Sequence, residues 1–443
     1  MPGRATAGRD LRWSRTSFVA SKGSCVGRCC RVHVDDRLGR DDLPSPSDLW
    51  FSDAGARAPE WRQSVDGSHA EHVVVGAGVM GLATAYWLAR RGRQVVVVDV
   101  AGLGHGASGR NAGIFLPSAA TWEDPTWIEQ FVIDENLDVG FRRSGHLALA
   151  SSDAVLEQMR AEVAARPPSA ATIDVLDHAR CEEVLGVELG ACVVGGRHYA
   201  AGGLVHVGGF VTGLAAAAAA RGATFIRSSV QGVEPDGRGA RLDVQGERLT
   251  ADTVVVACGA ASSDLLPVLG SVVTRRRAHM VATAPTAVRL SYALALDYGT
   301  TYWRQLDDGT IVAGGGAEAD PSGRADEPDG SNPVIEAAIV DALGRTIPSL
   351  HPTRVTRRWT GVMDITEDRR PLVGRMSESG AVWLATGFGG HGLPAAVGVG
   401  WALAAAISGD ADAVPAVLDP RRFPVVAELE RHRVHASTSR SPS

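Results

Sequence analysis

The chain has 443 residues, 45% of them hydrophobic and 21% charged, and a formal charge of −6. That length exceeds what a single hydrophobic core fills, so two domains are expected, and the acidic balance gives no reason to expect nucleic acid or an anionic membrane as partner. The longest nearly unbroken apolar stretch, Ala395 to Ile407, is too short to span a bilayer, which reads as a soluble, cytoplasmic protein.

Residues 1–45 are arginine-rich and lack the apolar core of a secretory signal, so they read as a leader outside the fold. Cys25, Cys29, Cys30 and His33 within it match no recognised zinc spacing, and no metal site is expected. Cys181, Cys192 and Cys258 read as reduced, partly buried residues. Residues 46–67, with Trp50, Phe51 and Trp61, read as an extended arm lying along the body.

Residues 72–99 run as a buried strand, a glycine turn, a helix and a second buried strand closing on an acid. That order suits a dinucleotide. Gly76 allows the tight turn, Gly78 lets backbone approach a pyrophosphate, and Gly81 draws helix and sheet together. Val79 and Met80 open the helix whose unpaired N–H groups favour the phosphates. Asp99 can accept hydrogen bonds from the ribose hydroxyls.

Gly104 to Gly113 follows as a long polar glycine loop. A nicotinamide cofactor rarely needs one there, whereas the ribityl chain and pyrophosphate of a flavin extend past the first strand–helix–strand unit. Ser108 and Arg110 suit phosphate or ribityl contacts, and Asn111 can reach the ring; a mobile surface loop is the alternative.

Helical patterns are expected at 121–140, 153–166, 208–221, 334–346 and 393–408. Strands are expected at 143–150 and 223–228, in two or three pieces over 229–256, as hairpins over 272–316, and near 354–363 and 381–386. Val230 is counted among the cofactor contacts, as are Cys258 and Gly259, where small residues again permit close approach. Gly387, Gly389, Gly390, His391 and Gly392 lead into the last helix, whose N–H groups suit the negative edge of a reduced flavin, with His391 near the ring.

With these residues in view the chain resembles the FAD-dependent amino acid and amine oxidase family typified by D-amino acid oxidase, glycine oxidase and sarcosine oxidase, from about residue 70 to 410. Two stretches, Thr301 to Gly309 and Arg358 to Pro371, look like the gamma-glutamylputrescine oxidase branch. The resemblance implies FAD, oxidation of a C–N bond, and reoxidation by oxygen or another electron acceptor. Some relatives attach flavin through a histidine where Asn111 stands here, others through a cysteine in the segment matching 387–392, which has none, so the FAD is expected to be non-covalent.

The expected fold is α/β: a Rossmann-like FAD-binding domain interleaved with an α+β substrate domain on a mixed or antiparallel sheet. Residues 68–120, 200–265 and 360–410 would form the first, 121–199 and 266–359 the second, and 411–443 a C-terminal tail. The expected reaction is hydride transfer from the carbon beside a neutral amine to flavin N5, giving an imine that hydrolyses. Tyr302 and Arg304 alternate on one strand and share a face, so both can meet the substrate's polar end, and Arg304 suits a carboxylate; a surface arginine is the alternative. His206 reads as a pocket residue or a structural one, while Asp364 and Arg369 order the chain around the flavin. Alternatives are an oxidase or dehydrogenase of N-methyl or D-amino acids, a flavoprotein subunit that meets its partner through the aromatic arm, and a nicotinamide-only dehydrogenase.

Overall fold

The computed structural model describes residues 49–51, 58–64, 67–116, 124, 126–165, 173–237, 239–320, 332–376 and 380–427. The expected leader, with its three cysteines and His33, lies outside them.

Two large sheets organise the molecule. The first has nine strands, ordered Trp61–Arg62, Thr224–Arg227, Val95–Asp99, His69–Val75, Glu247–Val256, Gly239–Val244 and Val230–Asp236, with Val382–Thr386 paired to both Glu247–Val256 and Leu372–Arg375. Its centre is parallel, and Val73, Val74, Val97, Val254 and Val255 are fully buried, as a sheet covered on both faces requires. Helices Val79–Arg90, Val207–Ala219 and Gly392–Ile407 share one core on one face. Small residues allow the first and last to touch: a Cβ at Gly400 would lie 2.6 Å from the carbonyl carbon of Ala83.

The second sheet has eight strands, ordered Val355–Thr366, Val273–Thr283, Ile311–Gly315, Thr301–Gln305, Ala293–Leu296, His146–Ala150, Gly195–Tyr199 and Ile173–Asp177. It is antiparallel except where Ala293–Leu296 meets His146–Ala150. One face packs on helices His178–Leu185 and Pro333–Thr346. The other looks toward the first domain, with helix Asp153–Ala164 covering its far end.

Three elements differ from the expected division. Helix Thr126–Asp134 buries Ile128 and Phe131 in the core of the first domain. Strand Val355–Thr366 belongs throughout to the second sheet, because it pairs with Val273–Thr283 along its length. Leu418 and Val426, in the expected tail, are buried against the first domain. Of the expected arm, Trp50 and Trp61 are among the described residues and both pack on the body. Trp50 is only 1% exposed and sits edge-on to His206, and Trp61 pairs beside Phe225 at the sheet edge, so Trp50 is not available to a partner.

Candidate cofactor and substrate site

The predicted motifs converge at one end of the first sheet. Strands His69–Val75, Val95–Asp99, Glu247–Val256 and Val382–Thr386 are parallel, so their carboxyl ends share one side. Gly76, Asp99, Cys258 with Gly259, and Gly387 stand at those four ends. A crevice outside the carboxyl ends of parallel strands is where such sheets bind ligands. Gly76 has φ +113, and a Cβ on it would lie 2.5 Å from Ala257 O. A Cβ on Gly81 would collide with Gly76 O, which fixes how closely the helix meets the turn.

Asp99 is more engaged than sequence alone implies. Its Oδ2 accepts from Ala77 N and its Oδ1 from Ala101 N and Gly102 N, all at 2.8 Å. A carboxylate offers about four acceptor sites, which leaves room for a ribose hydroxyl. Cys258 Sγ donates to Val75 O at 3.2 Å, and burial pushes its pKa up to about 12, so this thiol is a packing residue. Val230 is half-buried at a register shift where its strand begins.

The loop after Asp99 folds over the helix start. Ser108 Oγ accepts from Val79 N at 3.0 Å, directly at the position a phosphate would share. Arg110 turns away from it: Nε donates to His105 O at 3.0 Å and Nη1 to Thr360 O at 2.8 Å, tying the loop to the second sheet. Asn111 closes the loop on itself, with Nδ2 donating to Ala107 O and Ser108 O and Oδ1 accepting from Gly113 N.

The segment before the last helix is set by Asp364. Its Oδ2 accepts from Thr386 Oγ1 at 2.7 Å and Gly387 N at 2.5 Å, and its backbone carbonyl accepts from Gly389 N at 2.8 Å. Burial holds this carboxyl above its ordinary range, against the hydrogen bonds that favour its charge. His391 is exposed at the helix N-cap and offers no side-chain cap, with Gly392 opening the helix behind it. Helices starting after Ser152, Asp177, His206 and Asn332 are all capped by those side chains. The N-cap residues of the two helices rising from the glycine motifs, Gly78 and His391, provide no such cap. Both N-termini lie at the carboxyl edge of the sheet, the first met only by Ser108 Oγ on Val79 N, and they fit the pyrophosphate and the ring edge of FAD. His206 is resolved as a capping residue, Nδ1 accepting from Gly209 N at 3.0 Å.

The second sheet supplies the opposite wall. Lateral register places Tyr302, Gly314, Met280 and Trp359 in one row, Arg304, Val312, Ala282 and Arg357 in the next, and Ala278 beside Gly361 and Arg276 beside Met363 on the same face. That face meets both cofactor loops: Met363 Sδ lies 3.3 Å from where a Gly390 Cβ would stand, and Trp359 Nε1 donates to Arg110 O at 2.9 Å. Tyr302 OH donates to Met280 Sδ at 3.3 Å, and burial pushes its pKa up to about 12. Arg304 is buried rather than at the surface, and burial lowers its pKa to about 10. Sequence reasoning missed Arg276, Met280 and Met363, whose shared face appears only once the hairpins are in register.

A model of the family described as FAD dependent oxidoreductase (DAO) matches residues 71–406. One of the opine oxidase subunits of Agrobacterium tumefaciens (strain Ach5) is 29% identical over 324 residues, covering 68% of this chain and 83% of that protein. Gamma-glutamylputrescine oxidoreductase of Escherichia coli (strain K12) is 25% identical over 390 residues, covering 79% and 86%. The crystal structure of glycine oxidase from Geobacillus kaustophilus superposes with TM-score 0.71 at 20% identity, covering 81% of this chain and all of that one. The family match, the strand-end geometry and the helix starts agree: the chain belongs to the DAO family of FAD-dependent oxidoreductases.

Proposed function

We propose that the protein oxidises the C–N bond of a small amine or amino acid in the cleft between the two glycine loops and the second sheet. The observation that carries this reading is the uncovered patch on that sheet. Ala278, Gly361, Met363 and Tyr302 remain half-buried and Arg276 exposed, beside Met280, Gly314 and Trp359 of the same face, which are buried. FAD, when bound, supplies the acceptor for a hydride equivalent, and oxygen or another acceptor takes the electrons onward.

The chain's own task is to bind, orient and desolvate the substrate. Tyr302, with its pKa near 12, stays protonated at neutral pH and exchanges a weak sulfur acceptor for a substrate atom. Met280 and Met363 give the amine an apolar surround that favours its neutral form. The Arg276 side chain forms no ion pair or hydrogen bond among the described residues and is assigned to a substrate carboxylate. Glycine, named in one relative, is a carboxylated amine, so amino acids are the first class to test. Arg276→Ala should raise KM for a carboxylated substrate about tenfold, roughly 1.4 kcal/mol, and leave a neutral amine unchanged. Equal effects on both would remove Arg276 from substrate recognition.

A second reading, a component of a larger assembly, is favoured by one surface feature. Trp87, Trp127 and Trp401 are half-buried together, with Arg91 stacked on Trp87 and Trp401. Tryptophan and arginine are the residues that anchor interfaces. Size-exclusion chromatography of the protein with Trp401→Ala as control would test it, a monomer in both cases counting against it.

A further inference from the structure

We infer that Arg304 is a positioning residue for the cofactor loop and not a ligand for the substrate carboxylate. Its Nη1 donates to Val205 O at 2.7 Å and to Ala112 O and Gly113 O at 3.3 Å each, and the residue is 4% exposed. The arginine belongs to the second sheet, whereas its three acceptors belong to two segments of the FAD domain about ninety residues apart. Three carbonyl dipoles hold one end of a buried cation that forms no ion pair among the described residues, Asp307 and Arg142 acting on it only at longer range and its Nε lying buried without a partner.

A continuous run of bonds leads from there to the first glycine motif. Gly113 O, held by Arg304, also accepts from Val205 N at 2.9 Å, while Gly113 N donates to Asn111 Oδ1 at 2.8 Å. Asn111 Nδ2 donates to Ser108 O at 2.8 Å, and Ser108 Oγ accepts from Val79 N at 3.0 Å, at the start of the fingerprint helix. Gly113 has φ +68, and a Cβ there would lie 2.9 Å from Arg304 Nη1, so the turn is shaped around the guanidinium. Arg304 thus locks the loop that presents Ser108, and it couples cofactor binding to docking of the substrate sheet.

The test is FAD affinity, read by quenching of flavin fluorescence on titration into apoprotein, which needs no turnover and is independent of the proposed reaction. Arg304→Ala should raise the dissociation constant at least tenfold. Arg304→Lys, which keeps a donor-rich cation, should recover part of that loss. Asn111→Ala should weaken FAD similarly, and combining it with Arg304→Lys should give less than the sum of the two effects, because both act through one loop. With FAD saturating, KM for a carboxylated substrate should be unchanged in Arg304→Lys. FAD affinity within twofold of the parent in Arg304→Lys and Asn111→Ala, together with a raised KM in Arg304→Lys, would overturn the inference and make Arg304 a substrate ligand.

Discussion

Acidification from pH 7 to pH 5 should remove about 2 kcal/mol of stability through His146 alone. This imidazole is 3% exposed on the second sheet, edge-on to Tyr199. Burial pushes its pKa down to about 3, with Arg197 and His198 adding repulsion. In the unfolded chain it protonates below about 6.5. The unfolded state therefore binds the extra proton as pH falls, so stability is intact above about 6.5, declines below it, and stops declining near pH 3. At pH 5 the difference is about 1.5 pH units, worth roughly 1.4 kcal/mol each. Its Nδ1 has no hydrogen-bond partner, so His146→Phe removes the titration without breaking a bond at that atom. Urea unfolding of both proteins at pH 7 and pH 5, followed by tryptophan fluorescence, isolates the term. The parent should lose about 2 kcal/mol more than the variant. Parallel pH profiles would refute a buried neutral His146.

Two further substitutions probe the cofactor frame. Gly81→Ala drives a Cβ into Gly76 O and should cost on the order of 1–3 kcal/mol and release FAD, seen as a lower melting temperature that added FAD no longer raises. Asp364→Ala orphans the buried Gly387 N, while Thr386 Oγ1 keeps Gly259 O at 3.1 Å, and should cost about 1–3 kcal/mol with weaker FAD binding in the same titration; Asp364→Asn, which keeps an acceptor, should retain most of both.

The first domain was largely legible because its signals are local. Gly76, Gly81 and Asp99 fall within one strand–helix–strand unit, and their spacing alone implies the turn that the structure shows. The alternation that places Tyr302 and Arg304 on one face is likewise a two-residue period. What the alternation could not reveal is where Arg304 points, since its partners are backbone carbonyls of Ala112, Gly113 and Val205, and a carbonyl has no residue signature. Asn111 was hidden for the same reason: its amide serves its own loop. The half of the strand after Thr360 looked like part of the FAD domain because its motif ends at the flavin, but Asp364 reaches Gly387 from the second sheet. Arg276 and Met363 carry no motif and acquire meaning only through register across two strands 87 residues apart.

The most direct test of the central claim is the visible spectrum of the purified, FAD-loaded protein, followed without oxygen while amines and amino acids are added. The account predicts flavin bands that bleach with a carboxylated amine and return on admitting an electron acceptor. Flavin bands that no amine or amino acid bleaches would contradict C–N oxidation at this site, and a protein that binds no FAD at all would contradict the frame on which it rests.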